Sequence, residues 1–220
     1  MINALRSHKG SAKTIHVLSE PTKDIVGEAV FEFRDDYSVF DYGVMPDQLP
    51  GKGAALSAIS AYNFREIEKL GVKTHLIGMQ DDMLKVKMVR VLYPQKGEIH
   101  AGEKNYLVPL EVIFRNSLPA GSSVFKRINN GETTWEKLGF SEPQKPGTRL
   151  EKPILDVATK LEPTDRYMDW GEAQDMAKLS NAQLAQVKAT ALKVDDYLNK
   201  KAASLGLYHE DGKVEFVMDD

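Results

Sequence analysis

Asp211, Lys213 and Glu215 alternate in the run Asp-Gly-Lys-Val-Glu-Phe near the end of the chain. Alternate side chains of a strand share a face. The three charged groups then form a carboxylate–ammonium–carboxylate row, with Val214 and Phe216 on the other side. Such a row suits a magnesium nucleotide, because Mg²⁺ takes carboxylate oxygen and an ammonium meets phosphate. A half-exposed strand with a solvated charged face fits the same alternation. A second grouping is LVPLEVIFRNSLPAGSSVFKRI, residues 107–128. Its apolar opening, 107–114, reads as a strand that delivers Arg115 and Asn116 into the small-residue turn Pro119-Ala120-Gly121-Ser122-Ser123. A second short β-type run then ends on Lys126 and Arg127. Arginine presents a planar fork that matches carboxylate or phosphate, and glycine lets backbone N–H groups approach an anion. A basic hairpin on a solvated edge is the other reading of these residues.

Three further stretches carry weaker chemistry. Lys9-Gly10-Ser11-Ala12-Lys13-Thr14 precedes a strand pattern. A glycine turn with lysine can lie over phosphates, but the spacing is not that of a P-loop. Residues 33–41 lead from Phe33 through Asp35, Asp36, Ser38 and Asp41 into a Gly/Pro-rich loop and then Lys52-Gly53. Such loops usually form turns. Lys160 and Asp165 lie in Thr-Lys-Leu-Glu-Pro-Thr-Asp. The five histidines, His8, His16, His75, His100 and His209, show no metal-ligand spacing.

The elements that must position these groups are mixed. β-type runs are expected at 14–18, 28–34, 74–79 and 84–92. A helix is expected over 53–70, with Leu56, Ile59, Tyr62, Phe64, Ile67 and Leu70 at three- and four-residue spacings and Gly71 as its stop. Residues 94–105 read as a polar hairpin loop, and 129–152 as irregular. A short helix is expected at 170–179. The clearest element follows it. Ser180 with Gln183 makes a capping box, Leu184, Val187, Ala191, Val194 and Leu198 make a buried stripe, and Gly206 ends the helix. Segments 207–209 and 213–218 read as β. Strands and helices without regular βαβ alternation favour an α+β fold.

The 220 residues, 42% hydrophobic, suffice for one large domain or two lobes. The boundary is expected near residue 105, giving lobes of 1–105 and 106–220. Absence of cysteine excludes disulfides and thiolate chemistry and fits a reducing, cytoplasmic setting. No signal peptide is visible, and no run approaches the ~18 apolar residues of a membrane span. A net charge of −3 gives no overall attraction to nucleic acid, so a phosphate ligand needs local positive charge.

Taken together, these motifs resemble the SAICAR synthetase (phosphoribosylaminoimidazole-succinocarboxamide synthase) family. The matching residues are the Gly-x-Ala-Lys turn at 10–13, the Asp-x-x-Ser-x-x-Asp stretch at 35–41, Glu111 with Arg115-Asn116 and Ala120-Gly121-Ser122, Thr-Lys-x-Glu-x-x-Asp from 159, and Asp-x-Lys-x-Glu-Phe from 211. The resemblance runs from Lys9 to Phe216. It implies a two-lobed α+β fold with antiparallel sheets, an N-terminal β-rich nucleotide-binding lobe, and an ATP cleft between the lobes. It also implies ATP and Mg²⁺, and ligation of L-aspartate to the carboxylate of carboxyaminoimidazole ribonucleotide. On it, Ser11, Ala12, Lys13, Leu107, Lys160, Lys213 and Glu215 contact the nucleotide, with Lys13 and Lys213 on opposite walls. Arg115, Ser122, Asp211, Ser38, Asp41 and Lys52 serve the substrates, Lys213 and Asp211 the chemistry, and Glu215 the metal. The partners are small molecules, with neither nucleic acid nor membrane, and a homo-oligomer is left open.

Two departures qualify the match. Ser11 stands where the family often has a second lysine. The family pattern continues past Glu215 into a hairpin partner bearing a second metal-binding acid and a substrate arginine, whereas this sequence ends at Asp220. The expectation is therefore weak Mg-ATP binding and slow turnover, or none, by a chain that is either a truncated form or a variant. A nucleotide-binding module without catalysis, another carboxylate–amine ligase and a small-molecule kinase stay open.

Overall fold

A computed structural model of the chain describes residues 2–10, 12–39 and 42–219. The chain divides into two compact units: residues 1–91, 103–106 and 217–220 form the first, and 92–102 with 107–216 the second.

The first unit is built on a five-stranded antiparallel sheet. Its strands are β1 (Arg6–Lys9), β2 (Lys13–Ser19), β3 (Gly27–Phe33), β6 (Leu76–Gln80) and β7 (Met83–Met88), in the order β1-β2-β3-β7-β6. Helix α1 (Lys52–Lys69) packs on the sheet. Ala61 and the partly buried Phe64 meet Ala29, Leu76, Leu84 and Val86 in one apolar core. The alternation legible in β3 and β7 is what buries these residues on one face. A two-stranded ribbon, β4 (Ser38–Val39) with β5 (Gly43–Val44), precedes the helix. The strand expected over 84–92 stops at Met88. β1 carries no apolar alternation and is exposed along its length. Its pairing with β2 is therefore invisible to a periodicity argument.

In the second unit, β8 (Tyr106–Leu118) is the central strand of three, between β10 (Asp211–Met218) and β9 (Thr148–Thr159). A strand covered on both faces reads as a continuous apolar run rather than an alternation, which is why 107–114 looks as it does. β8 continues four residues beyond Phe114, so Arg115 lies within the strand and not at its end. A register shift between Arg115 and Ser117 breaks its ladder with β9.

The β-type run expected to end on Lys126 and Arg127 is instead the helix α2 (Ser123–Asn129). Ser122 caps it by accepting from the Val124 N–H, and Val124 and Arg127, three apart, are its buried residues. A short apolar run is ambiguous between strand and helix, and here the cap and the three-residue spacing prevail. Helix α3 (Trp170–Ala177) begins on Asp169, whose side chain accepts from the Glu172 N–H. Helix α4 (Asn181–Ser204) shows both hydrogen bonds of the Ser180–Gln183 capping box and buries Val187, Ala191, Val194 and Asp195. Gly206 takes φ 71° just past its end. Residues 207–209, expected as β, form no strand. Among the described residues no helix is long and apolar enough to cross a membrane.

Candidate active site

Glu111 is the only acid of the β8 run and is 3% exposed. An unpaired carboxylate there would be costly. Its two oxygens are taken by two lysines from neighbouring strands: Oε1 by Lys160 Nζ at 2.7 Å and Oε2 by Lys213 Nζ at 2.6 Å. Lys160, just past β9, also reaches Glu215 Oε1 at 2.9 Å. Burial alone would raise the Glu111 pKa, but the hydrogen bonds from Lys160 and Lys213 outweigh it and hold the carboxyl below the ordinary glutamate range. Burial likewise works against the Lys160 ammonium, and hydrogen bonds to Glu111 and Glu215 overcome it, so its pKa stands above the usual lysine value. Both groups are charged at neutral pH. Lys213 is half-exposed. The alternation of β10 is as expected, with Asp211, Lys213 and Glu215 on the exposed face and Val214 and Phe216 on the other.

Beside this cluster lies a cavity of about 440 Å³ whose wall includes Glu111, Arg115, Ser122, Ser123, Tyr167 and Lys213. Arg115 comes up from β8 almost fully buried. Its Nη2 donates to Ser123 Oγ and to Tyr167 Oη, each at 3.0 Å, and the two hydroxyls are 2.8 Å apart. Asp156 of β9 lies 3.5 Å from the Arg115 Nη2 and also binds Arg127 of α2. Asp211 Oδ2 lies 3.6 Å from the Arg115 Nη1. Arg127 lies over the Tyr167 ring, 3.8 Å from its centroid. Two guanidinium groups thus share the buried Asp156 carboxylate, and Arg115 is the one of them that lines the cavity. Among the described residues, the buried Arg115 Nε has no hydrogen-bond partner. The arrangement is suited to an incoming oxyanion: fixed, desolvated donors interact strongly with negative charge.

Of the residues singled out in the sequence, Lys160, Lys213 and Glu215 are brought into one cluster, and Arg115, Ser122 and Asp211 line the adjoining cavity. Leu107 is half-buried in β8, and Asp165 lies on the cavity wall. The remaining residues belong to the first unit. Lys13 begins β2, and its ammonium lies 4.4 Å from the Phe31 ring centroid. The turn before it is fastened by Arg34, which donates from Nη2 to the Gly10 carbonyl at 2.7 Å and from its backbone N–H to the Ala12 carbonyl at 3.2 Å. Lys52 opens α1, and Asp35 accepts from the Gly51 and Gly53 N–H groups there. These bonds hold the Asp35 carboxyl below its usual range. Ser38 is exposed on β4. Ser11 and Asp41 lie outside the described residues.

Sequence reasoning gave no role to Asp156 or Tyr167, and it used Glu111 only as a motif letter. A signal existed for the two acids. Each is a lone carboxylate in an apolar strand run, a placement that demands a cationic partner. Tyr167 carried no comparable signal.

The match with known proteins is extensive. The model of the SAICAR synthetase family matches residues 6–220. A putative phosphoribosylaminoimidazole-succinocarboxamide synthase of Archaeoglobus fulgidus is 40% identical over 228 residues, covering 96% of this chain and 68% of that protein. The synthase of Thermoplasma acidophilum is 33% identical over 190 residues, covering 86% and 62%. The chain therefore spans roughly two thirds of the length of these relatives. Among solved structures, a SAICAR synthetase (Type-2) in complex with ADP superposes with a TM-score of 0.70 at 25% identity, over 98% of this chain and 76% of that one. The Type-1 SAICAR synthetase from Pyrococcus horikoshii OT3 gives 0.68 at 26% identity, over 94% and 76%.

Proposed function

The chain belongs to the SAICAR synthetase family, and on that premise we propose that it serves the family's carbon–nitrogen ligation of purine biosynthesis. ATP, L-aspartate and carboxyaminoimidazole ribonucleotide give the succinocarboxamide ribonucleotide, ADP and phosphate. The observation that carries the reading is the junction of the Glu111–Lys160–Lys213–Glu215 cluster with the Arg115 cavity on one sheet. That junction places groups suited to a nucleotide's phosphates next to groups suited to a phosphorylated substrate.

A carboxylate is a poor acylating agent. Transfer of the γ-phosphoryl group to it makes an acyl phosphate and releases ADP. The aspartate amine then attacks the acyl carbon, the C–N bond forms, and inorganic phosphate leaves with the C–O bond electrons. Such catalysis is mostly positioning and charge neutralisation. Lys213, half-exposed and already hydrogen-bonded, is assigned to the transferring phosphoryl group, and Lys160 to the adjacent phosphate. Arg115, Ser122 and Asp211 are assigned to the ribonucleotide. Lys13 in the first unit is assigned to nucleotide phosphate by the family pattern, and Ser38 and Lys52 to the substrate side on the same ground.

Mg²⁺ typically binds through one or two carboxylates together with substrate phosphates. Glu215 fits that role, because among the described residues only its Oε1 is engaged, by Lys160, and its side chain is partly exposed. When bound, the ion would supply positive charge across the phosphate oxygens. The relative solved with ADP agrees with a nucleotide substrate.

The test is release of ADP in the presence of Mg-ATP, with aspartate and the ribonucleotide added separately and together. Release that needs both supports the ligase. Multiple-turnover release that persists without aspartate or without the ribonucleotide overturns it, whereas a single-turnover burst without aspartate is the acyl-phosphate step itself.

A further inference from the structure

Arg115 Nη2, Ser123 Oγ and Tyr167 Oη form a closed triangle with sides of 3.0, 3.0 and 2.8 Å. A count of hydrogens shows what the triangle lacks. The two Nη2 hydrogens go one to each hydroxyl oxygen. Two hydroxyl hydrogens remain, and only one fits between Ser123 and Tyr167. The other has no acceptor among the described residues. Asp156 and Asp211 lie farther from the Arg115 guanidinium, at 3.5 and 3.6 Å, and the three members of the triangle line the cavity. Ser123 and Tyr167 are only half-buried, so the spare hydroxyl hydrogen is open to the cavity, where an anionic oxygen can accept it.

The ring of Tyr167 is held independently of its hydroxyl. Arg127 stacks on it at 3.8 Å, and Arg127 is in turn fixed by buried Asp156. The segment is tied to β9 by an antiparallel bridge between Tyr167 and Ala158. The phenol oxygen is therefore fixed in place before any ligand arrives.

We infer that the Tyr167 hydroxyl is a ligand-contacting donor of this cavity: with Arg115 and Ser123 it receives the anionic phosphate of the substrate and favours the ribonucleotide over its unphosphorylated ribonucleoside. The inference rests on the proposed function for the identity of the ligand and on the triangle for the role of the residue.

Tyr167→Phe removes the hydroxyl and keeps the ring on Arg127, so it is the decisive variant, with Ser123→Ala beside it. Dissociation constants would be measured by calorimetry for carboxyaminoimidazole ribonucleotide, for ribose 5-phosphate and for ATP. Loss of one charge-assisted hydrogen bond should weaken both phosphorylated sugars about tenfold and leave ATP within about twofold. Unchanged affinity for both sugars overturns the inference and leaves the ligase reading standing. Equal weakening of all three ligands assigns Tyr167 to the fold alone and also overturns it. If the parent protein binds ribose 5-phosphate but not the imidazole ribonucleotide, the ligase reading falls, and the ribose 5-phosphate shift still decides for or against Tyr167. Failure to bind either sugar phosphate overturns both.

Discussion

Glu111 and Lys213 are 102 positions apart in the chain, yet Glu111 Oε2 and Lys213 Nζ lie 2.6 Å from each other. The contact exists because β8 and β10 are neighbours in the sheet. It fixes a cation of one strand on the buried acid of the next. Glu111 thereby becomes the anchor of the whole charged cluster, since Lys160 holds its other oxygen.

Glu111→Gln should therefore cost stability and displace both lysines. Hydrogen bonds to charged groups contribute about 1.5–3 kcal/mol, and the partly exposed lysines can recover some hydration, so a loss of about 1–3 kcal/mol is expected in urea unfolding. The pH dependence has a definite sign. The folded Glu111 carboxyl sits below its ordinary pKa, so its contribution is fully present above the unfolded value of about 4.3. It is lost as the pH falls through the folded value. The gap between parent and variant should narrow in acid, and a gap that widens there would refute the assignment.

Arg115→Ala should weaken ribonucleotide binding about 10- to 100-fold, the equivalent of one charge-assisted contact, while ATP binding changes little. Arg115→Lys keeps the charge but loses the fork, so it should restore only part of the affinity. Equal losses for ribonucleotide and ATP in a binding titration would place Arg115 outside the substrate cavity.

Asp195 on α4 is almost fully buried, with Asn116 Nδ2 at 2.8 Å and His209 Nδ1 at 3.5 Å. Burial raises its carboxyl pKa, more than the hydrogen bond from Asn116 and the His209 charge lower it. For an acid raised on folding, the folded state binds more protons between the unfolded value, about 3.9, and the folded one. Stability therefore declines as the pH rises through that window. Asp195→Asn removes the charge and its desolvation cost. The melting temperature of the variant relative to the parent should be more favourable at neutral pH than near pH 4. The opposite trend in a pH series of melts would show that the ionised form is the favoured one.

Gly212 sits between Asp211 and Lys213, and an added Cβ would lie 2.5 Å from Phe114 Cε2 and 2.8 Å from Cζ. Phe114 is fully buried and cannot swing aside. Gly212→Ala should cost about 1–3 kcal/mol, as overpacking does, seen as a fall of roughly 2–4 °C in melting temperature for each kcal/mol. Because the clash pushes β10 outward, Mg-ATP affinity should fall as well. An unshifted melt would mean that the strand yields at no cost.

Much of this molecule was readable one segment at a time. The row of Asp211, Lys213 and Glu215 follows from a two-residue period, and α4 from a capping box with a buried stripe. The family motifs were legible for the same reason: their spacing is local and survives in the linear chain. The run Val124 to Ile128 is too short and too β-branched for its period to separate strand from helix, and the Ser122 cap decides for α2. β1 was missed because an exposed edge strand need not alternate.

What the chain determined by itself was the set of elements with a strong period, the residues able to carry charge, and the demand that Glu111 and Asp156, lone acids in apolar runs, find cations. Which cations they found was decided only by the tertiary structure. The order β10-β8-β9 brings Lys213 and Lys160 to the two oxygens of Glu111, and the packing of α2 on that sheet brings Arg127 to Asp156 and to the ring of Tyr167. The physical reason is one of range. Backbone hydrogen bonding and side-chain periodicity act between residues a few positions apart. The desolvation of a buried charge is settled by whichever partner the fold brings within a few ångströms, however distant it is along the chain.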